Sequence, residues 1–359
     1  MPKHRLLFYT HALVGGGAER VWALVASGLS RRGHDVSFAV DFVARENAHL
    51  LLPQVRRFEL GSSHMSAIRA LAKILAKERP DAAFSAIGVS NVKLLAAQAI
   101  SGWRGASVLS AHGRFDAESR LLGRMTYAAT ALTSRLSART IAVSDDLRSY
   151  LVERWRGDPG RVVTIHNGVE LPPMNSLPDA PALARREDVV LAVGRLVPEK
   201  GFASLIEAFA KSQRAKRLII LGEGRERARL EALIARGSLS SRVELPGYLK
   251  EPWPVFAQAK MLAVSSRSEA FGNVIVEALA HGLPVVATRC GGPEEILDGG
   301  QFGRLVPIGD AGAMAQAIDE TLAEPGDPLQ HRARAETFSL DRTLDRFEEL
   351  IERILVERR

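Results

Sequence analysis

Hydrophobic residues in this chain alternate between short continuous runs and longer stretches where apolar positions recur every three to four residues. In the first half, residues 5–10, 36–40, 82–86, 107–110, 140–143 and 162–166 read as strands. Residues 18–32 read as a helix with apolar Val21, Trp22, Leu24, Val25 and Leu29. Residues 65–78 read as another, with basic Arg69, Lys73 and Lys77 four apart. Strand and helix in alternation predict a parallel sheet covered by helices.

The pattern stops between residues 168 and 187, where four prolines and no period of either kind suggest an interdomain linker. It then restarts. Strands are expected at 189–193, 218–221, 243–245, 261–264 and 285–288, and helices at 202–211 and 226–236. Near the end, Leu340, Leu344, Phe347, Leu350, Ile351, Ile354 and Leu355 have helical spacing, so this segment should dock on a core.

A length of 359 residues exceeds what one hydrophobic core usually supports, which agrees with two domains. With 46% hydrophobic and 25% charged residues and no low-complexity tract, both should be globular. No run approaches eighteen apolar residues and the start lacks a signal-peptide core, so a cytoplasmic protein is expected. The single cysteine, Cys290, excludes an internal disulfide and a cysteine-cluster zinc site. Residues 1–175 carry 23 Lys and Arg against 14 Asp and Glu, so the net charge of +7 belongs to the first half. Such a surface suits nucleic acid, an anionic membrane or a phosphorylated substrate, or serves solubility alone.

Candidate chemistry begins with two glycine-rich elements that each lead from a first strand into a helix. These are Gly15-Gly16-Gly17-Ala18-Glu19-Arg20 and the stretch from Gly194-Arg195 to Lys200-Gly201. Glycine lets backbone N–H groups approach an anion, and a helix N-terminus adds unsatisfied donors, although a simple tight turn fits equally. Arg195 and Lys200 are more specific: a planar fork and a point charge beside one turn would suit a diphosphate, the alternative being solvated cations partnered by Glu199. Glu269 and Glu277 flank Phe271-Gly272-Asn273. On one continuous helix they would stand about 80° apart and roughly 12 Å along the axis, a poor catalytic pair. A helix starting near Asn273 would leave Glu269 in a loop and place Glu277 a turn inside, giving them different tasks. Asp145-Asp146 reads as a helix start after Ser144, not as a metal motif.

Taken in order and spacing, the Glu269–Glu277 run, Gly194-Arg195 with Lys200-Gly201, residues 282–288 and Gly291-Gly292-Pro293-Glu294-Glu295 resemble glycosyltransferase family 4 over nearly the whole chain. The resemblance implies an α/β GT-B fold, two Rossmann-like domains facing each other across a cleft. It implies an acceptor-binding domain over 1–170, a nucleotide-sugar domain over 188–340, and a last helix, 341–359, crossing back to the first. It also implies that Arg195 and Lys200 grip the donor diphosphate, Glu277 holds the ribose hydroxyls, and Glu269 sits near the transferred sugar. The backbone of Phe271, Gly272 and Asn273, with Val274, is implied to contact the donor. Gly224 and Tyr248 resemble walls of the base pocket, Gly16 and Gly17 the loop facing the diphosphate, His112 a sugar contact and Asn167 a residue near the domain junction.

The activity so implied is retaining transfer of a hexose or N-acetylhexosamine from a nucleotide sugar, with UDP the expected carrier, to a lipid-linked or polysaccharide acceptor, forming an α-glycosidic bond. No metal or other cofactor is expected. A sugar-nucleotide epimerase on the same scaffold is the alternative. Nucleic acid is not an expected partner, since no helix-turn-helix, zinc or aromatic RNA motif accompanies the basic half. Peripheral contact with an anionic membrane, through residues 65–78 and 117–139, is an expectation of the charge pattern.

Overall fold

Alternation within β1 (Arg5–Thr10) explains why the first sheet buries both faces: Leu6 and Phe8 enter one core, Leu7 and Tyr9 the other. In the computed structural model, which describes residues 2–14, 16–42, 46–114 and 121–358, β1 pairs with β2 (Asp35–Val40) and β4 (Ala82–Ala86). β3 (Arg56–Glu59), β5 (Ala106–Ala111), β6 (Arg139–Ala142) and β7 (Val162–Thr164) complete a parallel sheet in the order 3-2-1-4-5-6-7. Register places Phe8 beside Phe38 and Phe84, and these rings stack at 6.4 and 4.9 Å between centroids. Trp22, from the helix Gly17–Arg31, meets Phe8 edge-on at 5.4 Å. Full burial of each such side chain contributes about 1.5–3 kcal/mol.

The helix Leu340–Val356 belongs to this same unit, which comprises Met1–Gly168 and Leu340–Arg359. Its Leu344, Phe347, Leu350, Ile351 and Ile354 are buried in the core that contains Phe8, and Leu355 is half-buried. Arg32 holds it from outside through Glu348 and Asp345, at 2.6 and 2.7 Å.

The second unit, Val169–Ser339, repeats the pattern. β8 (Val189–Val193), β9 (Arg217–Leu221), β10 (Val243–Gly247), β11 (Met261–Val264), β12 (Val285–Thr288) and β13 (Arg304–Val306) form a parallel sheet in the order 10-9-8-11-12-13. In both sheets the order reverses beside the first strand, between β1 and β4 and between β8 and β11. The carboxyl ends of strands at such a reversal leave the crevice where open α/β sheets bind ligands.

Two expectations change. The segment 168–187 is not wholly irregular: Asp179 caps a short helix, Ala180–Arg185, by accepting from the Ala182 N–H, and Leu183 is fully buried. The chain therefore enters the second unit at Val169, and this segment folds with it. Two strands absent from the sequence reading, β3 and β13, each lie at one edge of their sheet; β3, sequence RRFE, is largely exposed and has no apolar run to betray it. Among the described residues, no helix is long and apolar enough to cross a membrane.

Candidate functional site

β8 delivers Gly194 and Arg195 to the reversal point of the second sheet, and the loop that follows is fastened by its neighbours. The Gly194 and Leu196 N–H groups donate to the Leu221 and Glu223 carbonyls, both at 2.9 Å, and the Glu226 N–H donates back to the Leu196 carbonyl at 2.9 Å. Gly224 lies so close to Leu196 that a Cβ there would stand 2.3 Å from its carbonyl oxygen. Gly224 thus locks two loops together. Tyr248, just past β10, is half exposed.

A single turn, Pro198–Lys200, then brings Lys200 to the same place. Gly201 ends it with φ 65°, and a Cβ would meet the Ser265 carbonyl oxygen at 2.2 Å, so only glycine permits the turn to sit on the end of β11. The Ser265 hydroxyl donates to the Lys200 carbonyl at 2.9 Å. The Lys200 ammonium pairs with Glu269 Oε1, which also accepts from the Ser266 hydroxyl at 2.7 Å. Their side chains are 22% and 13% exposed, so the pair borders solvent. Glu199, the partner of the cations in the alternative reading, faces Arg225 at 3.6 Å instead. Arg195 is exposed and makes no ion pair with any described residue.

Glu269 is held by its main chain as well. Its N–H donates to the Cys290 carbonyl at 3.2 Å, and its carbonyl accepts from the Gly292 N–H at 3.0 Å, a parallel bridge that ties the loop after β11 to the loop after β12. Burial pushes the Cys290 thiol up to about 12, so it stays protonated beside the pair. The helix Asn273–Ala280 begins only after Glu269, which separates the two glutamates as the run requires. Gly272 turns into it with φ 115° and, as a glycine, brings no side chain to cap it. The Ile275 N–H donates to the Gly272 carbonyl at 2.8 Å, and a helix N-terminus favours an anion. Phe271 is buried against Phe338 at 5.5 Å, leaving main chain as its means of contact. Asn273, Val274 and Glu277 are half-buried on the helix.

In the first unit, Gly17 opens the helix Gly17–Arg31 and Gly16 is its N-terminal flank. The buried Asn47 side chain anchors this loop by donating to the Val14 carbonyl at 2.5 Å and to that of Gly16 at 3.3 Å. Gly15 lies outside the described residues, as do residues 117–120 of the segment 117–139. His112 follows β5 at its carboxyl end. Its Nε2 is 2.9 Å from the Ser110 hydroxyl, its ring meets Trp22 edge-on at 5.6 Å, and burial lowers its pKa to about 4. It is a neutral imidazole at pH 7, and among the described residues its buried Nδ1 has no partner. Asn167 is buried two residues before the second unit begins. Asp145 starts a helix capped by the Ser144 hydroxyl, which accepts from the Leu147 N–H at 3.1 Å.

The structure therefore gathers Gly194, Lys200 and Glu269 with Ser265 and Ser266, two serines that the sequence reading missed. Their only signal was position, directly after a strand.

Comparison with known proteins gives these loops a lineage. Residues 15–171 match the model "Glycosyltransferase Family 4", and residues 187–324 match "Glycosyl transferases group 1". The lipopolysaccharide core biosynthesis glycosyltransferase LpsE of Rhizobium meliloti is 38% identical over 165 residues, 46% of this chain and 45% of that protein. The N-acetylgalactosamine-N,N'-diacetylbacillosaminyl-diphospho-undecaprenol 4-alpha-N-acetylgalactosaminyltransferase of Campylobacter jejuni is 30% identical over 190 residues, 52% of this chain and 51% of that protein. The chain thus spans about half the length of these curated relatives. Among solved structures, Anabaena HepE in complex with UDP-glucose is similar with a TM-score of 0.82 at 22% identity, over 97% of this chain and 99% of that one. That likeness concerns the fold, two Rossmann-like units of GT-B type. The chain thus carries a domain described as "Glycosyltransferase Family 4" over most of its first unit and one described as "Glycosyl transferases group 1" over most of its second.

Proposed function

We propose that this protein is a retaining glycosyltransferase that moves a hexose or N-acetylhexosamine from a UDP-sugar to a lipid-linked or polysaccharide acceptor. The observation that carries the reading is the Lys200–Glu269 pair at the strand reversal of the second sheet, followed by the exposed Arg195 and the helix start at Asn273. A departing diphosphate needs its growing negative charge met by groups already in position. Lys200 and Arg195 supply the charge, and the N–H groups after Gly272 supply donors. Glu269 holds the Lys200 ammonium in place and borders the transferred sugar. Glu277 receives the ribose hydroxyls.

In the proposed step, an acceptor hydroxyl attacks the anomeric carbon from the face that the diphosphate leaves. The new C–O bond forms as the bond to the phosphate oxygen breaks, and a donor phosphate oxygen takes the hydroxyl proton. The product is an α-glycoside and free UDP, with the two cations doing the work that a metal does elsewhere. The matched domains and the relatives carry transferase names, which an epimerase reading does not account for.

The acceptor class rests on the relatives, whose names refer to lipopolysaccharide core and to a diphospho-undecaprenol glycan. Membrane contact at the cytoplasmic face is part of the proposal. The helices Leu121–Ala128 and Thr130–Leu136 expose Leu121, Met125, Leu132 and Leu136, with Arg124 and Arg135 on the same helices. Apolar residues beside cations suit an anionic lipid surface.

A thermal-shift and turnover panel of UDP-, GDP- and ADP-sugars tests the reading. UDP-sugars should stabilise the wild type and Glu277→Ala should lose most of that shift. Stabilisation by no nucleotide sugar, or an inverted product anomer by NMR, would contradict it.

A further inference from the structure

At the carboxyl end of the first sheet, three polar side chains from two different segments converge on one buried carboxylate. Asp41, directly after β2, has a side chain that is 0% exposed. It accepts from the Tyr9 hydroxyl at 2.8 Å, from Lys93 Nζ at 2.5 Å and from His11 Nδ1 at 2.6 Å. Tyr9 closes β1, His11 follows it, and Lys93 reaches over from the helix Gly88–Ser101 after β4, on the far side of the strand reversal. That helix starts from Ile87 at φ 74°, a conformation that a β-branched residue rarely adopts. Strain of this kind is retained where the surrounding structure fixes a functional geometry.

Burial of three of the four is nearly complete: the Lys93 side chain is 4% exposed and Tyr9 fully buried. Desolvation and the neighbouring carboxylate raise the Tyr9 pKa far above its usual value, so it remains a hydroxyl donor. His11 is different, with a side chain that is 46% exposed. An ionised carboxylate only accepts, so His11 must donate from Nδ1, and the tautomer is fixed with Nε2 left as the outward atom. Lys93 already balances the Asp41 charge, so the arrangement does not require an imidazolium. Nε2 can then accept from a hydroxyl when the ring is neutral and donate to one when it is protonated. Against this imidazole stands Phe42, edge to face at 4.9 Å between centroids and 39% exposed.

A fixed nitrogen beside an exposed aromatic ring matches a ligand with hydroxyls on its rim and an apolar C–H face, which is the chemistry of a pyranose. We propose that His11 and Phe42 form a recognition site for the acceptor sugar, with Asp41, Lys93 and Tyr9 as the buried support that aims His11. The proposal rests on the transferase reading above for the identity of that sugar as acceptor.

Octyl glycosides of glucose, galactose, mannose and N-acetylglucosamine, titrated into the full chain labelled with 15N-histidine, test it. His11 signals are identified by their loss in His11→Asn, whose amide nitrogen stands near Nδ1 and can keep the bond to Asp41 without an outward nitrogen. At least one glycoside should shift the His11 Nε2 signal saturably. His11→Asn should bind that glycoside roughly tenfold or more weakly, with its melting temperature and its response to UDP-sugar unchanged. Signals that none of the glycosides moves, or equal affinity in the variant, would overturn the proposal. Failure of nucleotide sugars to bind the wild type would instead overturn the transferase reading, and it would leave the glycoside titration readable.

Discussion

The two sheets share a strand order and present polar residues at the same end, yet they treat a lysine in opposite ways. Lys93 is sealed against Asp41, with side chains 4% and 0% exposed, whereas Lys200 and Glu269 meet at the solvent border with 22% and 13%. A cation that cannot reach solvent supports its neighbours, and one at the border can answer a ligand charge. The first unit thus offers a partly exposed imidazole held by a buried carboxylate, while the second offers Lys200 and an Arg195 that makes no ion pair with any described residue. One scaffold carries two kinds of recognition because burial decides what the same residue type does.

The sharpest break in this comparison should come from Lys93→Met. It leaves Asp41 buried without its cation, and loss of one partner of a buried pair costs about 3–5 kcal/mol. Chemical denaturation should show that loss, whereas an unchanged unfolding midpoint would mean that Lys93 carries no structural charge.

Arg195→Ala should do the reverse. Exposed and without an ion pair to any described residue, Arg195 can be removed with little change in melting temperature. If it stabilises the leaving diphosphate, turnover should fall about 10²–10³-fold. A stable variant with wild-type turnover would remove Arg195 from the site.

His112 gives a smaller effect that depends on pH. Its folded pKa, about 4, lies below the ordinary value of 6.5, so between those values the unfolded chain binds more protons than the native one. Its contribution is fully present above pH 6.5 and is lost as pH falls toward 4, with a slope of up to about 1.4 kcal/mol per pH unit. His112→Gln should lack this part of the slope. Identical pH profiles would show that His112 is not held neutral by burial.

Much of both units was legible because their central strands are nearly continuous apolar runs, as in residues 189–193, and because Leu344, Phe347, Ile351 and Ile354 mark one face of the last helix. Two of the outer strands were not, as in Arg56–Glu59, which carries charges where a buried strand carries apolar residues. Local spacing located Glu269, Glu277, Lys200 and the helix start between the glutamates. It could not pair Lys200 with a residue 69 positions away, and the one local partner it offered, in the alternative reading, was Glu199. Asp41 and Lys93 lie 52 residues apart and form no motif; the one local signal is that Lys93 is the single charged residue of its helix. Local turns are written in the sequence at short range, and long-range ion pairs are set by the fold.

The central claim is that Lys200 and Arg195 receive a diphosphate. Calorimetric titration of UDP and of uridine into the wild type and the Lys200→Met and Arg195→Ala variants tests it most directly. The wild type should bind UDP at least about 100-fold more tightly than uridine, a preference worth roughly 2.7 kcal/mol. Each variant should lose most of that preference while its affinity for uridine stays the same. Equal affinity of the wild type for UDP and uridine, or variants that keep the full preference, would contradict the account.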